Sequence, residues 1–251
     1  MVLETTNAKI AHGAVNTMSR RVDLNNNIKS PEQVASIDDC LDVVVQWIEK
    51  IAGKNYFIAP LEEFQARFGK VNPEDEFYQS RMNYFLEWCV LERPMTQDSC
   101  ARSPASIFFE KHIGITNGDS ASAYIWTSFS GFRHSVFQVV VPGSEFIEVR
   151  DLCAQKIARI VSKSGETLRY LRKGTIFQGY LFGHHDHRVL GQGLVIHPEL
   201  AQKQILRYLK QHSRIPRFPS SDICRLFALT NMRYLRMQHV NPAVIYQTVS
   251  S

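Results

Sequence analysis

The stretch SVFQVVVPGSEFIEVR, Ser135–Arg150, is where the rhythm of this chain changes from helix to strand. Val136–Val141 is rich in β-branched residues, with four valines in six. Pro142-Gly143-Ser144 supplies turn residues, and in Glu145–Arg150 Ile147 and Val149 alternate with Glu148 and Arg150. A β-rich run, a Pro-Gly turn and a period-two return predict a hairpin, because successive strand side chains point to opposite faces. Downstream, Lys156–Ser162 and Thr167–Arg172 read as a second hairpin about Lys163-Ser164-Gly165-Glu166. Thr175–Phe182 and Arg188–His197 read as a third about the histidine-rich turn. Six short strands in about sixty residues predict a small, strongly bent antiparallel sheet or an SH3-like barrel. Gly191-Gln192-Gly193 marks a bulge or bend in the last strand.

Upstream of this sheet the period is helical. Ser30-Pro31 with Gln33 forms a capping box, and Val34, Ile37, Leu41, Val44 and Ile48 make one apolar stripe that Gly53 ends. Asn72-Pro73 announces a longer helix that runs to Arg93 and stops at Pro94. Its Phe77, Tyr84, Phe85, Trp88, Cys89 and Leu91 wrap most of the circumference, which predicts a buried central helix. Ser103-Pro104 starts a short helix, and Asp119 or Ser120 starts another that fades at Gly131. Two helices close the chain, about a linker His212–Pro219 that holds two prolines. The expected fold is therefore α+β: N-terminal helices, a small antiparallel SH3-like β-barrel or bent sheet, and a C-terminal helical pair. The divisions follow as a flexible tail over 1–29, a helical region over 30–131, the barrel over 132–198, and basic helices packed on it over 199–251.

Charge is distributed unevenly over this plan. Residues 1–150 hold 14 Lys/Arg against 19 Asp/Glu, and residues 151–251 hold 15 against 5, so a net −5 and a net +10 give the overall +5. A basic C-terminal part points to an anionic partner, either nucleic acid or an acidic protein. The candidate binding residues are Arg169, Arg172 and Lys173 at a strand end, Lys203, Arg207 and Lys210 along one helix, and Arg214 and Arg217 in the linker. Arg225, Arg233 and Arg236 extend the set along the last helix, and Tyr170, Tyr208, Phe218 and Tyr234 are interleaved. Arginine with aromatics suits phosphate contact combined with base stacking.

The segment Arg81–Pro198 resembles a family of bacterial proteins built from a helical segment and a small β-barrel, related to proteins that sometimes carry a SEC-C segment. The resemblance lies in Phe85-Leu86-Glu87-Trp88 running to Arg93-Pro94, in Ser103-Pro104 to Phe109, in Ser135–Val139, in Val149-Arg150-Asp151-Leu152, and in Gly174–Leu181. The cysteine cluster of a SEC-C segment is absent, and the resemblance implies architecture without an activity.

Motifs for chemistry are sparse. There is no GxSxG elbow, no GxxxxGK[ST] and no GxGxxG. His184, His185 and His187, with Asp186, are weak candidates for metal ligands; a solvated hairpin tip is the favoured reading because no distant ligand set accompanies them. Five cysteines at 40, 89, 100, 153 and 224 show no CxxC pair, and an odd count argues for a reduced, cytoplasmic protein. The N-terminal 21 residues lack the apolar core of a secretory signal, and no apolar run reaches the roughly 20 residues of a membrane span. The expectation is a non-enzymatic binding or regulatory protein without a cofactor. A protein scaffold using an apolar surface and a metal-dependent enzyme at the histidine-rich turn are the alternatives.

Overall fold

The computed structural model describes residues 30–95, 98–112, 114–117, 120–161, 168, 171–183, 188–212 and 220–248. It divides into two compact units. The first comprises residues up to Ala66 with Val71–Gly131, and the second Arg67–Lys70 with the chain from Phe132 onward.

The first unit is helical. Ser30, Pro31 and Gln33 form a single 3-10 turn in which Gln33 Oε1 accepts from Ser30 N at 3.2 Å. Helix α1, Ile37–Ala52, starts later than the Ser-Pro signal suggests. Val34 is extended, and Ser36 provides a second cap whose Oγ accepts from Asp39 N at 3.1 Å. Gly53 ends the helix at φ 83°, a left-handed conformation that glycine adopts without a Cβ penalty. Helices α2 (Ile58–Phe68), α3 (Tyr78–Leu91), α4 (Pro104–Lys111) and α5 (Ala121–Ser130) follow. The last two begin on serine caps, Ser103 accepting from Ser106 N and Ser120 from Ala123 N. Every residue of α3 from Arg81 to Leu91 is buried, so this helix is central, as its all-round apolar pattern predicts. Phe64 of α2 meets Tyr84, Phe85 and Trp88 of α3 edge-on or tilted, and Trp126 of α5 donates to Pro31 O at 2.8 Å.

Among the described residues, the second unit holds the sheet and, following it in the chain, three further helices. Strands β1 (Arg133–Val141), β2 (Phe146–Asp151), β3 (Lys156–Val161), β4 (Ile176–Phe182) and β5 (Val189–Leu190) lie in the order β3-β2-β1-β4-β5, and β6 (Val195–Ile196) also pairs β4. The sheet curls into a half-barrel. A bulge between Val139 and Val141 bends β1, and a parallel bridge between Ile160 and Arg188 brings the two edges together at one end. Period-two alternation sorts the side chains. Phe137, Val139, Ile147, Val149, Ile160, Phe177 and Leu181 fill one core. Val136 and Ile176 point the other way, into a second core with Ile205, Tyr208, Leu209, Phe227 and Tyr246 of the closing helices. Those helices are α6 (Gln202–His212), α7 (Ser220–Arg236) and α8 (Pro242–Gln247); a 3-10 turn, Glu199–Ala201, leads into α6. With a core on each side, β4 is buried along its whole length.

Two strand expectations change. The first hairpin stands, and β3 pairs with β2 across the turn Leu152–Gln155. Of the expected partner strand 167–172 only Leu168, Leu171 and Arg172 are among the described residues, and none of them is in a strand. Leu168 has helical backbone and Leu171 N donates to Leu168 O at 3.1 Å. Spacing of i, i+3 lets a single turn bury both leucines in the barrel core, where a strand would place them on opposite faces. The third hairpin is broken into β5 and β6 at Gly191–Leu194. There the chain crosses Gly179 so closely that a Cβ at 179 would lie 2.9 Å from Gly193 O.

Candidate anion-binding face

Helix α6 is amphipathic for two different purposes. Ile205, Tyr208 and Leu209 are buried against the sheet and α7, and Lys203, Arg207 and Lys210 project outward at i, i+4 and i+7. Its eleven residues, QKQILRYLKQH, include no carboxylate, so no charge on the helix itself offsets the three cations. Lys210 and His212 stand in the last turn, where the negative end of the helix dipole favours cations.

Arg172 and Lys173 are exposed on the loop entering β4. That loop is held by reciprocal bonds, Gly174 N to Val139 O at 2.9 Å and Val139 N to Thr175 O at 3.0 Å, with Gly174 at φ 88°. The pair edges a groove of about 350 Å3 whose other walls are the β1–β2 turn Pro142-Gly143-Ser144 and the leucines 168 and 171. Gly143 is required in that turn, since a Cβ there would sit 2.3 Å from Phe146 O. A Cβ at Gly174 would lie 3.7 Å from Gln202 Oε1, so the loop abuts the first turn of α6. Arg172 and Lys173 thus precede, and Lys203 follows, a single point of close approach. Arg225, Arg233 and Arg236 are exposed on α7, with Arg225 4.0 Å from Asp222. Arg169, Arg214 and Arg217 lie outside the described residues, as do His184, His185 and His187.

The aromatics do not join this face as stacking platforms. Tyr208 is core, its ring 3.9 Å from the His212 imidazole in a stacked pair and edge-on to Phe227. Burial pushes its phenol above the usual range, with Asp222 adding to the rise. Tyr234 is half-buried against the same core. Tyr170 and Phe218 lie outside the described residues.

Groups with chemical potential elsewhere are committed to holding the fold. Asp151 is buried; its Oδ1 accepts from Ser135 Oγ at 2.8 Å and from the amides of Cys153 and Ala154 at 2.9 Å, and its Oδ2 pairs with Arg133. These bonds fix the β2–β3 turn, which ends on Gln155 at φ 56°. Burial pushes the Cys89 thiol up to about 12 and also raises Cys153, so neither is the thiolate that nucleophilic attack needs. His197 Nδ1 lies 2.8 Å from Tyr246 Oη and ties α8 to the sheet. Among the described residues no group of three or more His, Cys, Asp or Glu could hold a metal ion.

Of the residues compared above with the helix-and-barrel family, Phe85, Trp88 and Arg93 serve the core. Phe85 and Trp88 are buried in α3, and Arg93 is buried and donates to Glu63 Oε2 at 2.7 Å. Exposed aliphatic residues also stand on and near α6, namely Leu200, Leu206 and Val244. One signal was legible. Leu206 falls outside the stripe Ile205, Tyr208 and Leu209, so it has no place in the helix's buried face. No family model, no curated protein and no solved structure matches the chain.

Proposed function

We propose that the protein is a non-enzymatic binding or regulatory protein whose second unit meets an anionic partner along α6. The observation that carries this reading is the outward face of that helix, where Lys203, Arg207 and Lys210 stand on a segment that lacks any carboxylate. The Arg172–Lys173 loop beside the first turn of α6 supports it by extending the cationic surface to five side chains. The structural engagement of Asp151, Cys89 and Cys153 supports a role in binding rather than catalysis. The unpaired number of cysteines in the sequence supports a cytoplasmic location.

Fluorescence anisotropy of labelled single- and double-stranded DNA and RNA, titrated at low and physiological salt, tests the reading. Five phosphate contacts on duplex DNA give a log–log salt slope of about −4.5, or a loss of about 500-fold in affinity between roughly 50 and 200 mM salt. Replacing Lys203, Arg207 and Lys210 by Ala leaves two contacts, a slope of about −1.8 and a loss of about 12-fold over the same range. An unchanged slope in the triple variant removes α6 from the site. Binding to an acidic protein but to no nucleic acid makes the partner a protein.

A further inference from the structure

Exposed aliphatic side chains accompany the cations of α6. Leu200, in the 3-10 turn that leads into the helix, is 64% exposed, and Leu206 on the helix is 37% exposed. Val244 on α8 is 55% exposed, and α8 packs against both that turn and α6. Three mutually packed elements therefore present Leu200, Leu206 and Val244 to solvent in the neighbourhood of Lys203, Arg207 and Lys210. Glu199, exposed beside Leu200, is the carboxylate closest in sequence to this set.

Single exposed leucines are ordinary on a protein surface. Here they accompany a cationic stripe, and that combination selects among anionic partners. A nucleic-acid backbone offers phosphates to Lys203, Arg207 and Lys210 but little to an aliphatic side chain. The interface of an anionic bilayer offers both: headgroup phosphates at the level of the cations and acyl chains just below for the leucines. We propose that the α6 face, with Leu200, Leu206 and Val244, is a docking surface for an anionic phospholipid membrane, bound from one side without spanning it. This inference rests on α6 being the cationic binding face. It is compatible with the described helices, none of which is long and apolar enough to cross a membrane.

Attraction to an anionic surface is worth about fivefold in partition for each cation, and insertion of the two leucines about tenfold or more. Such docking is weak and reversible, comparable to a single acyl anchor. The test is co-sedimentation of the full chain with vesicles of phosphatidylcholine alone and of phosphatidylcholine mixed with phosphatidylserine. Labelled RNA and DNA binding is measured in parallel. The expected result is partition to the mixed vesicles only. Leu200→Ser with Leu206→Ser should then lower that partition at least about tenfold. The same variant should leave nucleic-acid binding unchanged and keep the wild-type far-UV circular-dichroism spectrum at the assay temperature, with the melt lowered only slightly by the helical Leu206→Ser change. Lys203→Ala with Arg207→Ala and Lys210→Ala should abolish vesicle binding. Equal partition of the wild type and the leucine variant overturns insertion. Nucleic-acid binding without vesicle binding overturns the membrane inference and leaves the anionic-partner reading standing. Binding to neither vesicles nor nucleic acid overturns the membrane inference and leaves only an acidic protein as partner.

Discussion

Replacing Asp151 by Ala removes the group on which the β2–β3 turn is built. In the native protein one carboxylate oxygen accepts three hydrogen bonds, from Ser135 Oγ and from the amides of Cys153 and Ala154, and the other pairs with Arg133. Each of the three bonds contributes about 1 kcal/mol net, and alanine strands all three donors, so their loss costs about 3 kcal/mol. The Arg133 side chain is 36% exposed and regains water once its partner has gone. For that reason the ion pair adds no more than about 1 kcal/mol. Asn at the same position keeps an acceptor oxygen for the three donors but loses the ion pair and turns an amide N–H toward the Arg133 guanidinium, so it should cost about 1–2 kcal/mol. The two variants therefore separate the turn's hydrogen bonds from its charge. Urea unfolding followed by far-UV circular dichroism should show Asp151→Ala destabilised by about 3–4 kcal/mol. The melting temperature should fall by about 10–15 °C, and Asp151→Asn should show roughly a quarter to a half of that effect. Hydrogen exchange should find the amides of Cys153 and Ala154 deprotected in the alanine variant and protected in the asparagine one. Equal destabilisation by both substitutions would mean that the Arg133 pair, not the cap, holds the turn. A change below about 0.5 kcal/mol in both would refute the reasoning outright.

Two further outcomes follow from the geometry. Gly179→Ala places a Cβ 2.9 Å from Gly193 O and 2.9 Å from Leu194 Cδ2, inside a strand buried on both faces. Overpacking there should destabilise by about 1–3 kcal/mol, and unfolding at the wild-type midpoint would show that the β5–β6 crossing yields without cost. The Asp98 carboxyl is held down to about 2 by hydrogen bonds from the Arg102 side chain and backbone. Its folded value lies below the unfolded one, so its contribution to stability is present above about pH 4 and is lost as the pH falls toward 2. Asp98→Asn should flatten the stability profile in that window. An NMR titration that places the carboxyl near its ordinary value would remove the Arg102 clip.

The helix starts show how far local chemistry reaches. Ser103-Pro104 begins α4 as written, because a serine cap and a proline at the first helical position act within one turn. Ser30-Pro31 carries the same signal, yet it makes only a 3-10 turn, since Ser36 competes as a cap for α1. The outward cations of α6 were legible for a similar reason. Lys203, Arg207 and Lys210 share a face by helical period alone, and Ile205, Tyr208 and Leu209 share the opposite one.

Propensity, capping and period are short-range properties, and so the sequence by itself determined the switch from helix to strand about Ser135, two residues inside the start of β1, together with the first hairpin, the buried α3 and the amphipathic α6. Tertiary structure alone decided the rest. Pairing of β3 with β2, helical backbone at Leu168, the break of the last strand opposite Gly179 and the approach of Gly174 to Gln202 each depend on residues distant in the chain. Tyr208 could stack on a base or fill a core by its chemistry, and the sheet and α7 fix it as core. Leu200 could be buried or bare by its hydrophobicity, and α8 and the sheet close the second core without covering it. Burial is a property of what arrives from elsewhere in the chain, and no local pattern encodes it.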